Sequence, residues 1–494
     1  MNILINEKTE KKCFYIFLAV HLIVWSCIGL IRTILPTDAL EGIYWGSFMD
    51  FGTPKHPPLF GWIAYLTYLP FKTDYIVYFV SQLFVIFGFI YTYKLAKCFL
   101  DENKAMLSVI LLEGCWTYSY ITSYYGFNPD VIMLFTLPVI TYYFYQCVTR
   151  SKKSDWVLLG IITGIGFLNK YQTAMLIIPM FIWTFVFKRN VFRNIFFYIS
   201  VIIAFIIFLP HILWLAKYDF FPFLYFSGEL TSHSYLEHIT APLFFAFMQL
   251  CVLAGTLLIF TALKIKQKSP LDIDLNNDKK FIWFFILLEF MPFLIHLVMG
   301  IIEGGTMRPR WGYEFWFMTG IMLFYFFPVN VDKKAFMFTL KCAYSVMLII
   351  FLALGTLLVV EKNYRSRYPV EHVFNDLKGF WAQKYNTPIE YLGGYIEWTL
   401  PLTIYGDTHP KALLDTHGYP DPWTDFEKVK KAGVLIIDRI PEFVIAQALY
   451  SVPYLDKNIE IKPIEYKFDV KNVLGQSREY TIYYYIVPPV YNEK

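Results

Sequence analysis

The sequence predicts a polytopic α-helical membrane protein of about eleven transmembrane segments, closed by a C-terminal extracytoplasmic α/β domain. Three observations predict it. Of 494 residues, 57% are hydrophobic and 20% aromatic, while only 17% are charged, against about 25% charged in a soluble domain. Apolar runs long enough to cross a bilayer recur through residues 13–360. Residues 361–494 then change to short alternating runs separated by Pro/Gly/Asp-rich turns. The domain division read from this is 1–360 for the membrane part and 361–494 for the soluble part. Such apolar content excludes disorder, and a net charge of +4 on so long a chain gives no reason to expect nucleic-acid binding.

The apolar runs fall near 13–35, 75–93, 105–121, 131–148, 156–187, 194–215, 241–263, 281–301, 313–328 and 338–360. The fifth is too long for one span and is interrupted by Asn169-Lys170, so it reads as two short segments meeting at a polar break. The N-terminus and alternate connections hold twenty Lys and Arg, the opposite set seven. Basic loops remain cytoplasmic, so the N-terminus is expected inside and the tail outside. The first run is too long for a cleaved signal and no small-residue site follows, so it reads as a retained anchor. All seven cysteines lie in or beside apolar segments and none forms a CxxC pair, which gives disulfides and zinc ribbons no support.

In the tail, residues 370–386 put Val370, Val373, Phe374, Leu377, Phe380 and Trp381 on one helical face. IEYLGGYIEW, GVLIIDRI, IEIKPIEYKF and EYTIYYYIV read as strands.

The outer first loop, residues 36–74, carries Asp38, Glu41, Asp50, Lys55 and His56 among aromatics. Its segment from Pro57 to about Pro70 is apolar but too short to span, and is expected along the interface. Asp38 and Glu41 have the spacing of a helix cap and its reciprocal partner, which is compatible with a catalytic role. Asp130 follows Asn128-Pro129, an ordinary helix start. Arg308 and Arg310 fit either snorkelling to headgroups or anion binding. Lys170 between two apolar half-segments is costly in hydrocarbon and points to a polar cavity. His233 and His238 read as a solvated loop.

The order PTDALEGIYWGSFMDFG, KHPPLFGW, GFNPDVIMLF and GIGFLNKYQTA resembles glycosyltransferase family 39, the protein-mannosyltransferase-like branch of the GT-C superfamily. The resemblance runs over the whole membrane part and implies sugar transfer from a polyprenyl-phosphate-linked donor to an extracytoplasmic acceptor, which is lipid, polysaccharide or protein. It places the catalytic acids at Asp38 and Asp130, with Glu41 three residues after the first. It places the carrier phosphate at Lys170, and the residues themselves add Lys55, His56, Arg308 and Arg310 as further candidates. The sequence departs from the family where an Asp-Glu pair is replaced by Asp38-Ala39, and where His56 precedes the prolines. No cofactor is required by these residues, and a divalent metal at the first loop is compatible with them. An acceptor hydroxyl attacking the anomeric carbon needs one carboxylate base, and the phosphate leaving group needs positive charge, so inversion is expected. The implied location is the inner (plasma) membrane. The competing readings are a secondary transporter, opposed by the acidic first loop and by the lack of an inverted repeat, and a surface-polysaccharide ligase or polymerase.

Overall fold

The computed structural model describes residues 2–229, 234–270, 273, 278–305, 307–416, 419–421, 423–450, 452, 454–456 and 458–490. The membrane part opens with α1 (Asn2–Cys27), α2 (Thr37–Gly46), α3 (Leu59–Phe71) and α4 (Asp74–Ala96). It continues with α5 (Glu102–Ile110), α6 (Thr122–Tyr124), α7 (Pro129–Arg150), α8 (Lys153–Asn169), α9 (Thr173–Phe187) and α10 (Ile195–Lys217). Then come α11 (Phe221–Glu229), α12 (Glu237–Lys266), α13 (Lys279–Glu303), α14 (Thr319–Phe326) and α15 (Lys333–Val360).

Seven of these helices, α1, α4, α7, α10, α12, α13 and α15, are long and apolar enough to cross a membrane. The other expected segments are shorter or broken. The run at 105–121 becomes α5, a 3-10 turn at Leu111–Gly114 and a π turn at Thr117–Ile121. A backbone bond from Trp116 N to Val252 O and the approach of Gly114 to Gly255 fasten this irregular stretch to α12. The run at 156–187 divides into α8 and α9 around Lys170, and the run at 313–328 begins as a 3-10 helix, Pro309–Met318.

The short helices α2 and α3 pack face to face. A Cβ at Gly46 would lie 1.9 Å from the carbonyl oxygen of Gly61, so only glycine permits this approach. The α3 helix corresponds to the apolar segment expected to be too short to span, with Pro58 at its N-cap.

The C-terminal part contains α16 (Tyr364–Arg367), α17 (Val370–Ala382), β1 (Tyr391–Gly394), α18 (Ile396–Tyr405), β2 (Lys411–Thr416) and β3 (Tyr419–Pro420). It ends with α19 (Phe426–Ala432), β4 (Val434–Asp438), α20 (Pro441–Tyr450), β5 (Ile464–Lys471) and β6 (Ser477–Val487). The strands form one mixed sheet in the order β3-β2-β1-β4-β6-β5, parallel at β1–β2 and β1–β4 and antiparallel elsewhere. Alternation along β4 serves two cores: Leu435 and Ile437 pack with α17 and α18, while Val434 and Ile436 pack with α19 and α20. The apolar face expected for residues 370–386 is buried in the first of these, with Phe380 at its edge.

IEYLGGYIEW is not one strand. Gly394, at φ +135°, ends β1 against the carbonyl of Ile437, and the following residues turn into α18. That helix and β2 dock the sheet domain onto the first loop. Tyr405 Oη donates to Asp74, 2.9 Å from either carboxylate oxygen, and accepts from Leu35 N at 2.9 Å. Tyr44 Oη donates to Ala412 O at 2.7 Å.

Candidate active site

Five segments converge where α2, the 47–58 loop, the start of α7, the α8–α9 break and the 3-10 helix Pro309–Met318 meet. Asp38 sits in the first turn of α2, and Arg310 Nη1 donates to its Oδ2 at 2.6 Å. Glu41, one turn on and 3% exposed, accepts from Lys55 Nζ at 2.5 Å. The cap reading of this pair is corrected. Pro36 occupies the N-cap and no side chain caps the helix, because both acids are turned to cations instead.

Lys55 and His56 are held by a tight turn. Thr53 Oγ1 donates to His56 O at 2.8 Å and accepts from His56 N at 2.9 Å. His211 of α10 fixes the preceding backbone through Nδ1 to Phe51 O, 2.7 Å, and Trp62 Nε1 donates to Asp50 O at 2.9 Å.

Asn128 caps α7 as its spacing predicts, accepting from the backbone N–H groups of Asp130 and Val131. Asp130 is in addition an ion-pair partner of Lys170. Lys170 closes α8 in extended conformation, is 7% exposed, and reaches a second carboxylate, Glu314 Oε1, at 3.3 Å. Asn169 Nδ2 donates to Pro129 O at 2.8 Å, which ties the break to the start of α7. A buried ammonium held between two acids satisfies the requirement that such a charge be paired.

The sequence reading missed Glu314. It is fully buried, and its Oε2 has no hydrogen-bond partner among the described residues. A carboxylate inside RWGYEFWF was the available signal, since an acid in an apolar stretch needs a partner. Asp421 was missed too. It is 2% exposed, both carboxylate oxygens lack partners among the described residues, and it lies within electrostatic reach of Lys55 and Glu41.

The electrostatics separate the two acids of α2. Burial raises the Asp38 carboxyl most, but the guanidinium of Arg310, together with Lys55 and His56, outweighs it and holds the group below its ordinary range. Burial wins at Glu41 and raises it in spite of Lys55. His56 is pushed down to about 3 by burial and then by the charges of Lys170 and Lys55, so it is a neutral imidazole. These influences also show that His56 is within electrostatic reach of both the Arg310–Asp38 and Lys170–Asp130 pairs. Burial raises Asp421 well above the carboxylate range.

Arg308 occupies the N-cap of the 3-10 helix that carries Arg310 and Glu314. His238 is not in a loop: it lies in the first turn of α12, partly exposed, with its Nδ1 2.9 Å from Ile301 O. His233 and Thr306 of the GGTMRPRW segment lie outside the described residues. Among the described residues no group of three His, Cys, Asp or Glu side chains is placed to hold a metal ion. Of the first-loop acids, Asp38 is paired with Arg310 and Glu41 with Lys55.

Residues 55–214 match the family described as dolichyl-phosphate-mannose-protein mannosyltransferase. The chain is 24% identical over 199 residues to the lipopolysaccharide core galacturonosyltransferase RgtA of Rhizobium johnstonii, covering 38% of this chain and 39% of that protein. It is 31% identical over 150 residues to the undecaprenyl phosphate-alpha-4-amino-4-deoxy-L-arabinose arabinosyl transferase of Wigglesworthia glossinidia brevipalpis, covering 28% of this chain and 26% of that protein. The matched stretches thus span well under half of these curated relatives. In structure, ArnT of Cupriavidus metallidurans bound to undecaprenyl phosphate superposes with a TM-score of 0.64 at 13% identity, covering 95% of this chain and 97% of that one. The chain therefore has the polytopic GT-C fold with a C-terminal sheet-containing domain, and it is similar to the GT-C glycosyltransferases of the ArnT type.

Proposed function

We propose that the chain is a membrane glycosyltransferase that moves a sugar from a polyprenyl-phosphate carrier to an acceptor hydroxyl. The observation that carries this reading is the convergence of Asp38, Arg310, Asp130, Lys170 and Glu314 from four segments at one end of the helices. The likeness to relatives whose names specify undecaprenyl-phosphate sugars supports the carrier class.

The acceptor hydroxyl attacks the anomeric carbon and passes its proton to Asp38. The bond from that carbon to the phosphate oxygen breaks as the new glycosidic bond forms, so a single displacement inverts the centre. Asp38 is suited to this as an ionised carboxylate aimed by Arg310. The departing phosphate gathers charge and needs cations. Lys170 and Arg310 supply them, each now balanced by acids that the phosphate would partly replace. Neutral His56 offers a hydrogen bond instead of charge, and Lys55 and Arg308 border the same region. Asp130 keeps Lys170 in place, and Glu41 does the same for Lys55.

The twenty-to-seven bias in basic residues supports placing this end of the protein on the extracytoplasmic face of the plasma membrane. Mass-spectrometric profiling of envelope lipids and glycans in a deletion strain tests the function. Loss of one sugar-modified species with accumulation of the charged carrier supports it. An unchanged envelope with altered uptake of a small solute overturns it in favour of a transporter.

A further inference from the structure

The exit of α15 from the membrane opens onto a cavity of about 550 Å³ lined by Val360, Lys362, Tyr364, Arg439, Arg478 and Tyr480. One acid, Glu361, also lines it. The three cations come from three separate stretches of chain: the linker after α15, the end of β4 and the start of β6. None of the three is in an ion pair among the described residues, and Arg439 and Arg478 are exposed.

The level of this cavity relative to the bilayer is set by covalent and hydrogen-bonded neighbours. The last turns of α15 expose Leu357 and Val360. The β5–β6 hairpin tip is fastened to that same end, through Val473 N to Val359 O at 3.3 Å and Asn472 Nδ2 to Val360 O at 3.0 Å. At the tip Val473 and Leu474 are 55% and 62% exposed. Two adjacent apolar side chains are thus presented beside the end of a spanning helix, with a cationic cavity next to them. Apolar residues entering the acyl boundary beside Lys and Arg at headgroup depth is the pattern of an interfacial lipid contact.

We infer that this cavity binds the headgroup of an anionic phospholipid, with Lys362, Arg439 and Arg478 on the phosphate and Val473–Leu474 against the acyl chains. The inference is independent of the transfer reaction. The lipid would steady the sheet domain on the membrane surface, whose docking onto the first loop runs through Tyr405 and Tyr44.

The test is native mass spectrometry of the full-length protein released from nanodiscs containing phosphatidylglycerol, with Arg439→Gln/Arg478→Gln, Leu474→Asp and the exposed control Lys462→Gln. The double variant is expected to bind phosphatidylglycerol roughly 30-fold more weakly, from the contribution of two interfacial cations. Leu474→Asp is expected to weaken it as well, and Lys462→Gln to leave it unchanged. Equal retention in parent and double variant overturns the site, as does an equal loss in the control. Glycerol phosphate added to the parent separates the two sources of phosphate. Little displacement supports a lipid, and displacement at concentrations matching the lipid assigns the cavity to a soluble phosphate and overturns the lipid assignment.

Discussion

Arg310 and Asp38 are 272 residues apart in sequence, yet Arg310 Nη1 lies 2.6 Å from Asp38 Oδ2. The contact fastens the 3-10 helix Pro309–Met318 to the first turn of α2 and keeps the acid ionised. Arg310 also lies over the ring of Tyr125, 5.8 Å from its centroid, so its plane is fixed from a second side. Lysine keeps the charge but loses both the planar fork and the ring contact. Arg310→Lys is expected to lower transfer by about 10–100-fold, the range for a lost charged hydrogen bond. Steady-state kinetics on purified protein check this, and unchanged kcat/KM would separate Arg310 from the reaction.

Lys170 is both a structural pair and the proposed phosphate ligand, and two variants separate the roles. Lys170→Met leaves the buried Glu314 and the part-buried Asp130 without their cation, which is expected to cost about 3–5 kcal/mol. Adding Asp130→Asn removes one stranded charge and is expected to recover part of the melting temperature without recovering transfer. Thermal unfolding and turnover are measured together. Recovery of transfer in the double variant would reduce Lys170 to a packing role.

His56 gives a pH signature. Its folded pKa of about 3 lies below the ordinary histidine value, so the unfolded chain binds the extra proton first as pH falls. Its contribution to stability is present above about pH 6.5 and is lost progressively toward pH 3. The difference in melting temperature between the parent and His56→Gln is therefore expected to change as pH falls from 7 to 5. The pH profile of transfer should show no inflection near 6.5 that vanishes in the variant. A parallel pair of melting curves would contradict a neutral His56.

Orientation is tested by reporters. Fusions after Lys362 and within 264–280 are expected on opposite sides, with the first extracytoplasmic. Cytoplasmic reporter activity after Lys362 would invert the proposed topology and remove the site from the outer face.

How much of this was readable from sequence follows from what a single residue can reveal. Lys170 was visible because an ammonium in an apolar run is costly wherever its partner lies. Glu314 obeys the same rule, but its surroundings, an aromatic stretch with Arg308 and Arg310 just before it, read as the start of a span. Its partner stands 144 residues earlier, and no local pattern records that. The Asp38–Glu41 spacing suggested a cap because spacing alone does not say which way a side chain turns. Pro36 at the N-cap and two cations from elsewhere decide it. In the tail, β4 and β6 were legible from unbroken β-branched and aromatic runs, whereas Gly394 ended β1 inside what looked like a single strand.

Single-turnover transfer on purified Asp38→Asn, in proteoliposomes supplied with lipid extract from the parent strain's membrane as donor and acceptor, measures the base directly. Release of free polyprenyl phosphate is the readout, with carrier binding and thermal unfolding as controls. Asp38→Asn is expected to bind carrier and stay folded while transferring about 10²–10⁴-fold more slowly, and Glu41→Gln is expected to retain most of its rate. Near-normal turnover in Asp38→Asn, with the loss found in Glu41→Gln, would contradict the assignment and move the base to the second carboxylate of α2.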